Sequence, residues 1–475
     1  MTALPSLHYL LIGAARQGTA LARYLASHGA QVVLNDSRTP DALETIIVSL
    51  ADVPVKWALG GHPLTLLDGV DVVCPSGGVP LDMPLVAEAI RRGIPLSNDS
   101  QIFLDLCPCP TVGITGSAGK TTTTTLVGRM AQNTQYAIRN TYIGGNIGNP
   151  LISAVDEMTP ADLAVMELSS FQLDIMTRSP HVGAVLNITP NHLDRHPSMA
   201  DYTRAKANII AFQTPEDVAV LGRDDAGAWG LKEMVKGKLV TFGHDPVGEL
   251  VPGWVADVHL RGDEIVIWDG VHAQTVMSRA DILLRGEHNL VNVMAACAIS
   301  FATEHLTGLP KDLSGVVEAM QAGVQNFRGV AHRLEFVRTL HGADWYNDSI
   351  ASAPERVMAG IRAFERPIVL LAGGRDKNLP WEDFARLVCE RVDHLVLFGE
   401  SARMIANKVR ACRAKGGRPL TMDCCAGLHE AVQAAANVAE AGDVVLLSPG
   451  GTSFDAFRDF EARGERFKQW VLALA

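Results

Sequence analysis

Positive charge is scarce in this chain. Lys and Arg number 41 against 52 Asp and Glu, a formal charge of −11 at pH 7, so no basic field faces a phosphate backbone and no nucleic-acid partner is expected. Small anions can still bind locally. Long apolar runs are missing too: no segment approaches the ~20 apolar residues of a membrane span, and Met1–Leu11 lacks the basic stretch and apolar core of a secretion signal. A cytoplasmic protein with no membrane partner is expected. The eight cysteines are scattered. Their close pairs, Cys107/Cys109 and Cys424/Cys425, have neither zinc-ligand nor thioredoxin-like spacing and read as reduced thiols. Internal repeats and low-complexity tracts are absent. What remains, 47% hydrophobic and 20% charged residues, is the composition of a folded globular chain, and 475 residues suggest about three domains of ~100–200 residues each.

From His8 the chain reads as a short strand, a glycine-bounded turn (Gly13 to Gly18), a helix and a second strand, Gln31 to Asn35, ending at Asp36. That is a βαβ opening. A strand over Gly69 to Cys74 runs into Pro75-Ser76-Gly77-Gly78, and a helical stretch follows around Leu85 to Arg92; a first domain is expected over 1–105. A second α/β sheet begins with Thr111 to Thr115 and continues through Leu163 to Met166 and Val182 to Ile188. Between Lys238 and Leu284 short alternating strands with turns at Arg261-Gly262-Asp263 and Asp269-Gly270 predict a small attached antiparallel sheet. This second domain is placed at 106–330. Strand and helix alternation returns after Arg333, with strands at Ile368 to Leu371, His394 to Phe398 and Val444 to Leu447, in a third domain over 331–475. The loops Gly373-Gly374-Arg375-Asp376-Lys377 and Ser448 to Ser453 follow strand ends, where open parallel sheets bind ligands.

Gly116-Ser117-Ala118-Gly119-Lys120-Thr121 follows a buried strand and opens a helix. Backbone N–H groups and the helix N-terminus there can cradle phosphates, with Lys120 reaching the outer ones and Thr121 holding magnesium. Ile114 stands where the usual pattern has Gly, so the match is to a shortened form; the competing reading is a glycine turn with a surface lysine. Two more strand ends, Glu167 and His192, offer hard ligands to a magnesium nucleotide, and Asp194 and Arg195 would brace the second. The turn Gly13-Ala14-Ala15-Arg16-Gln17-Gly18 resembles a dinucleotide fingerprint without its middle glycine, and Asp36 lies where an acid often meets a ribose hydroxyl. An ordinary βα turn is the alternative. Ala15 restricts approach to a pyrophosphate, which disfavours a nicotinamide cofactor. In the third domain Ser352-Ala353-Pro354-Glu355 reads as a capping box with proline in the first turn, which places Asn347-Asp348-Ser349 just before a helix and Asp348 within reach of a nucleotide.

In order along the chain, Thr115 to Thr121, Gly145-Asn146-Ile147-Gly148, Glu167-Leu168-Ser169-Ser170-Phe171-Gln172, Asn191-His192-Leu193-Asp194-Arg195, Gly286-Glu287-His288-Asn289 with Asn292, His332-Arg333 and Asn347-Asp348-Ser349 resemble the Mur ligases. The tail, Leu447-Ser448-Pro449 through Ser453 and Asp455 to Phe460-Glu461-Ala462-Arg463-Gly464, looks most like the members that add glutamate. The resemblance implies an α/β fold of three domains: an N-terminal Rossmann-like one, a central P-loop ATPase-like sheet with a small antiparallel sheet, and a C-terminal Rossmann-like one. It implies ATP and Mg2+ as cofactors and UDP-N-acetylmuramoyl-L-alanine and glutamate as substrates of a peptidoglycan precursor ligase. Gly116, Ser117, Ala118, Gly119, Lys120, Thr121, Thr122, Asn289, Asn292, Arg333 and Asp348 would then serve the nucleotide, and Thr121, Glu167, His192 and Lys206 the metal. Lys206 matches a lysine that the family carries as a carbamate; read alone it is a solvated helix lysine. Lys120, His192 and Lys206 would be catalytic. Ala14, Ala15, Arg16, Gln17, Asp36, Ser76, Gly77 and Asn146 would meet the UDP-sugar; Ser352, Lys377, Ser453 and Phe460 would frame the incoming glutamate.

The chain departs from the family pattern in three places. Ile350 replaces a lysine, Ser352 replaces a threonine, and Arg375-Asp376-Lys377 replaces Asp-Gly-Lys, which could return the missing positive charge from another strand end. The expected reaction transfers the γ-phosphate of ATP to a carboxylate, and the acyl phosphate is then attacked by the glutamate amine, with domain closure around it and a monomeric enzyme. The alternatives are a related ligase adding L-glutamate or another amino acid, or extending folate; a nicotinamide oxidoreductase built on the Gly13 turn; and a non-catalytic nucleotide-binding regulator.

Overall fold

Strands form where apolar runs are continuous: Thr111–Thr115, Leu163–Glu167, Val182–Val185 and Val218–Gly222 are buried at every position, the pattern of parallel strands covered on both faces. The computed structural model describes residues 7–134, 138–146, 148–190, 196–284, 286–307, 313–376, 379–414 and 419–475. It divides into two compact units, residues 1–327 and 328–475.

The first unit holds two sheets. Strands β1 (His8–Ile12), β2 (Gln31–Asp36), β3 (Val55–Leu59) and β4 (Val72–Pro75) form an all-parallel sheet in the order β3-β2-β1-β4. Strands β5 (Thr111–Thr115), β6 (Thr141–Gly145), β7 (Leu163–Glu167), β8 (Val182–Val185), β9 (Val218–Gly222), β10 (Lys238–Phe242), β11 (Trp254–Arg261), β12 (Glu264–Trp268) and β13 (Ala273–Ser278) form one nine-stranded sheet in the order β13-β12-β11-β10-β9-β8-β5-β7-β6. The antiparallel strands expected between Lys238 and Leu284 are present as a continuation of this sheet. β10 itself pairs parallel to β9 and to β11, and only from β11 onward do hairpins reverse the direction. Alternation in sequence reports which faces are covered, and a strand can satisfy it while extending an existing sheet. One apolar core runs from Leu11 and Leu25 through Phe103 and Cys109 to Met166 and Leu221; each fully buried Leu or Met contributes ~1.5–3 kcal/mol relative to exposure.

In the second unit β14 (Glu335–Leu340), β15 (Ala343–Asn347), β16 (Ile368–Gly373), β17 (His394–Phe398), β18 (Thr421–Cys425) and β19 (Val444–Gly450) form a sheet in the order β14-β15-β19-β16-β17-β18, parallel except for β14. The helix after Asn347-Asp348-Ser349 starts at Pro354, as expected, but its N-cap is Ala353 and no side chain caps it. The capping box at Ser352 is thus corrected: proline at the first helical position sets the boundary one residue beyond the serine, whose backbone N–H turns back to the Ile350 carbonyl. Among the described residues no helix is long and apolar enough to cross a membrane.

Candidate active site

β5 delivers the chain into the glycine loop through a crowded core: a Cβ on Gly113 would lie 2.5 Å from Pro180. At Gly119 the backbone turns left-handed, with φ of +83°, and a Cβ would meet Asn292 Oδ1 at 2.2 Å. Glycine is therefore required there twice over. This contact also brings Asn292, and Asn289, whose Oδ1 accepts from Asn292 Nδ2 at 3.1 Å, against the loop that the sequence assigns to phosphates. The loop is held from the residues just beyond β8. Ala118 N donates to Asn187 Oδ1 at 2.8 Å and Asn187 Nδ2 donates to Ala118 O at 3.2 Å. Ser117 N donates to the Asn187 carbonyl at 2.9 Å, while Ser117 Oγ donates to Thr189 O at 2.9 Å and lies 3.0 Å from Tyr202 Oη. Neither Asn187 nor Tyr202 was singled out from sequence, since an asparagine beyond a strand carries no pattern of its own.

Two lysine side-chain nitrogens converge on one carbonyl. Lys120 Nζ donates to Gly116 O at 2.8 Å, and Lys206 Nζ donates to the same oxygen at 2.9 Å and to Thr115 Oγ1 at 3.2 Å. The solvated-lysine reading of Lys206 is overturned: it is 1% exposed, on the inward face of the helix Met199–Ala211 with Tyr202, Ala205 and Ile209. Burial first, and then the charge of Lys120, push its pKa down to about 6, against the pull of Glu167. An amine so placed is largely neutral at pH 7.

Glu167 ends β7 and is 2% exposed. Its Oε2 accepts from Thr121 Oγ1 and its Oε1 from Asn146 Nδ2, both at 2.8 Å. Asn146 is set by the backbone, its N–H donating to Glu167 O at 2.8 Å where Gly145, at φ +98°, leaves no room for a Cβ beside that carbonyl. Hydroxyl and carboxylate oxygens are the hard donors that magnesium takes, so Thr121 and Glu167 fit the ion. Among the described residues no cluster of three or more His, Cys, Asp and Glu side chains could hold a metal. His192, Asp194 and Arg195 lie outside the described residues, as do Ile147 and Lys377. Thr122 is half-buried in the first turn after the loop. His196, which the sequence did not flag, is buried with Nε2 3.0 Å from Ser170 Oγ and its ring stacked 5.4 Å from that of Phe171.

The Gly13 turn faces the same region. Gln17 Nε2 donates to Gly145 O at 3.3 Å, and Gly77 lies against Phe171. Ser76 Oγ donates to Gly13 O at 3.1 Å; Ala14 is buried, whereas Ala15 and Arg16 are exposed. Asp36 is engaged on both oxygens: Oδ2 accepts from Ala14 N at 2.8 Å and from Arg38 Nη2 at 2.7 Å, and Oδ1 from Arg38 Nε at 2.9 Å. The Arg38 guanidinium holds this carboxyl well below the usual carboxylate range.

In the second unit Asp348 is 5% exposed. It accepts from Ser448 Oγ at 2.7 Å and from Leu334 N at 3.3 Å, and burial pushes it up to about 7. The neighbouring Arg333 is exposed and Ser352 half-buried. Ser453 is buried, and Phe460 opens the last helix, its carbonyl accepting from Ser349 Oγ at 2.8 Å. Arg463, a tail residue without an expected role, is fully buried: Nε donates to Ser349 Oγ at 3.0 Å, Nη2 to Ser349 O at 2.8 Å and Nη1 to Gly451 O at 3.1 Å. It ties the Asn347-Asp348-Ser349 turn to the loop before Ser453. Arg375 is paired with Glu400, two bonds of 2.9 Å, and Asp376 accepts from Trp381 Nε1 at 2.9 Å, so Arg375 already has a carboxylate partner within its own sheet.

A glycine loop that opens a helix beyond a parallel strand, a strand-end carboxylate beside its threonine and a buried lysine behind it agree with the class that its relatives define, and the chain belongs to the Mur ligase family. The family's MurD-like N-terminal domain matches residues 8–98, its middle domain 114–300 and its glutamate ligase domain 332–451. Among individual relatives, the UDP-N-acetylmuramoylalanine–D-glutamate ligase of Pelotomaculum thermopropionicum is 41% identical over 98% of this chain and 97% of its own length. The enzyme of the same name from Symbiobacterium thermophilum is 40% identical over 98% of both. The crystal structure of UDP-N-acetylmuramate-alanine ligase from Thermotoga maritima is similar in fold, with a TM-score of 0.52 and 18% identity, covering 98% of this chain and 99% of that one.

Proposed function

We propose that this chain is an ATP-dependent ligase joining D-glutamate to the carboxylate of UDP-N-acetylmuramoyl-L-alanine in peptidoglycan precursor synthesis. The observation that carries this reading is the convergence of Lys120, Thr121, Glu167 and Lys206 at the carboxyl end of β5, in a chain near 40% identical along almost its whole length to ligases of that name.

A carboxylate at neutral pH is a poor electrophile, because it has no useful leaving group. Transfer of the γ-phosphoryl group of ATP to one of its oxygens supplies one. As anion attacks anion, charge gathers on the phosphoryl oxygens, and the Lys120 ammonium with the N–H groups of the glycine loop is placed to offset it. Thr121 and Glu167 would hold Mg2+, with His192 and a carbamylated Lys206 as further ligands; such an ion neutralises phosphate charge. The neutral Lys206 amine can add carbon dioxide, forming an N–C bond and releasing one proton, which turns the neutral side chain into an anion. The glutamate amine then attacks the acyl carbon and phosphate leaves.

Asn289, Asn292, Arg333 and Asp348 are assigned to the nucleotide, Ser352, Lys377, Ser453 and Phe460 to glutamate. Ala14, Ala15, Arg16, Gln17, Ser76, Gly77 and Asn146 are assigned to the UDP-sugar, with Asp36 shaping that turn through Ala14. The same reading divides the chain at residues 105 and 330 and makes it a cytoplasmic monomer. Ile350 removes one cation from the amino-acid side, which keeps L-glutamate as the second candidate. ADP release by the purified chain decides: it is expected to require both UDP-N-acetylmuramoyl-L-alanine and D-glutamate, whereas ADP release without the acceptor, or equal turnover with L-glutamate, refutes the assignment.

A further inference from the structure

Cys107-Pro108-Cys109 forms the joint between the helix Asp99–Leu106 and β5, which leads into the glycine loop. The two sulfurs are 3.4 Å apart. Cys109 is 2% exposed and belongs to the continuous apolar core of the first unit. Cys107 is half-buried, with its sulfur 3.9 Å from Met158 Sδ. Thiols already in van der Waals contact need approach by little more than an ångström to reach the ~2.05 Å of a disulfide, and the proline between them limits the conformations from which they must close. Cys424 and Cys425 differ: as successive residues of β18 they point to opposite faces of the sheet.

The environment also divides the labour. The contact between the two sulfurs holds the Cys107 thiol below its ordinary value, and the same contact, with burial, holds Cys109 above it. The more accessible sulfur is thus the nucleophile, and the shielded one resolves.

We propose that Cys107 and Cys109 are a reversible dithiol–disulfide modification site that responds to hydroperoxides and alters the joint between the first sheet and the phosphate-loop strand. The Cys107 thiolate attacks one peroxide oxygen, the O–O bond breaks, and the departing oxygen leaves as water, or as an alcohol from an organic peroxide. The resulting sulfenic acid is attacked by the Cys109 sulfur. The S–S bond forms, the S–O bond breaks, and a second water carries away the Cys109 proton. Two thiols lose two electrons and one hydroperoxide gains them. Closing so short a loop adds little through chain entropy, so its effect is local, on the entry to β5.

Trypsin releases Gly93–Lys120 as a peptide containing these two cysteines and no other. After treatment of the full chain with hydrogen peroxide and alkylation, this peptide should be lighter by two hydrogens and unalkylated, and should take up two alkyl groups after dithiothreitol. Ligase turnover, measured first on the reduced chain so that failure of the catalytic reading is seen separately, should fall at least twofold on oxidation and return with dithiothreitol. Cys109→Ala, or Cys107→Ser if the former does not fold, should escape that fall. Full alkylation of both sulfurs after peroxide, an unchanged turnover in the bridged protein, or the same fall in a folded variant overturns the inference.

Discussion

A buried amine is costly to keep charged, and Lys206 carries that cost at the centre of the site. Its folded pKa of about 6 lies below the ordinary 10.5. Between those values the unfolded chain binds more protons than the folded one, so this group's contribution raises stability as pH rises through the window. Lys206→Met should therefore stabilise the chain at neutral pH and flatten this part of its profile of unfolding midpoint against pH, while lowering turnover by ~10²-fold or more, the scale of losing one electrostatic stabiliser. A destabilised variant with near-normal turnover would contradict the placement. Lys120→Ala should abolish turnover with the fold retained, read by steady-state kinetics beside circular dichroism. The two lysines differ in how far sequence reveals them. Lys120 sits in a glycine-rich spacing between a strand and a helix that points to a phosphate loop, whereas Lys206, on a helix among alanines, has no local signature of burial and is reached through the family resemblance alone.

At the scale of elements, the glycine loop depends on the segment after β8. Asn187→Ala removes two hydrogen bonds to Ala118, each worth ~0.5–1.5 kcal/mol, and should raise KM for ATP by roughly tenfold with a smaller effect on kcat. An unchanged KM would mean that the loop holds its shape unaided. In the second unit Arg463→Met leaves the Ser349 and Gly451 carbonyls without their guanidinium donor and should cost ~2–4 kcal/mol in denaturant unfolding of that unit. The buried strands were legible because parallel strands covered on both faces leave unbroken apolar runs. Exposed edges were not: β18, Thr-Met-Asp-Cys-Cys, is largely solvent-facing, and β14 is half-buried throughout most of its length. The misplaced cap at Ser352 has a similar origin, since Ser352 and Pro354, two positions apart, set cap positions that differ by one residue, and the rigid proline ring decides.

For the whole molecule, the sequence conveyed the succession of three α/β sheets and which candidate residues stand at their strand ends, because both reside in patterns local along the chain. It could not convey that the antiparallel strands extend the central sheet, that Asp36 accepts from the Ala14 backbone, or that Arg463 joins Ser349, 114 positions earlier in the chain, to Gly451, 12 positions earlier. Such contacts depend on residues brought together only by folding. The central claim is chemical: a carboxylate is phosphorylated beside Lys120, Thr121 and Glu167 before any amide bond forms. UDP-N-acetylmuramoyl-L-alanine carrying a heavy oxygen isotope in its carboxylate, turned over with ATP and D-glutamate, tests it most directly. One labelled oxygen is expected in each phosphate released; phosphate free of label would rule out the acyl phosphate.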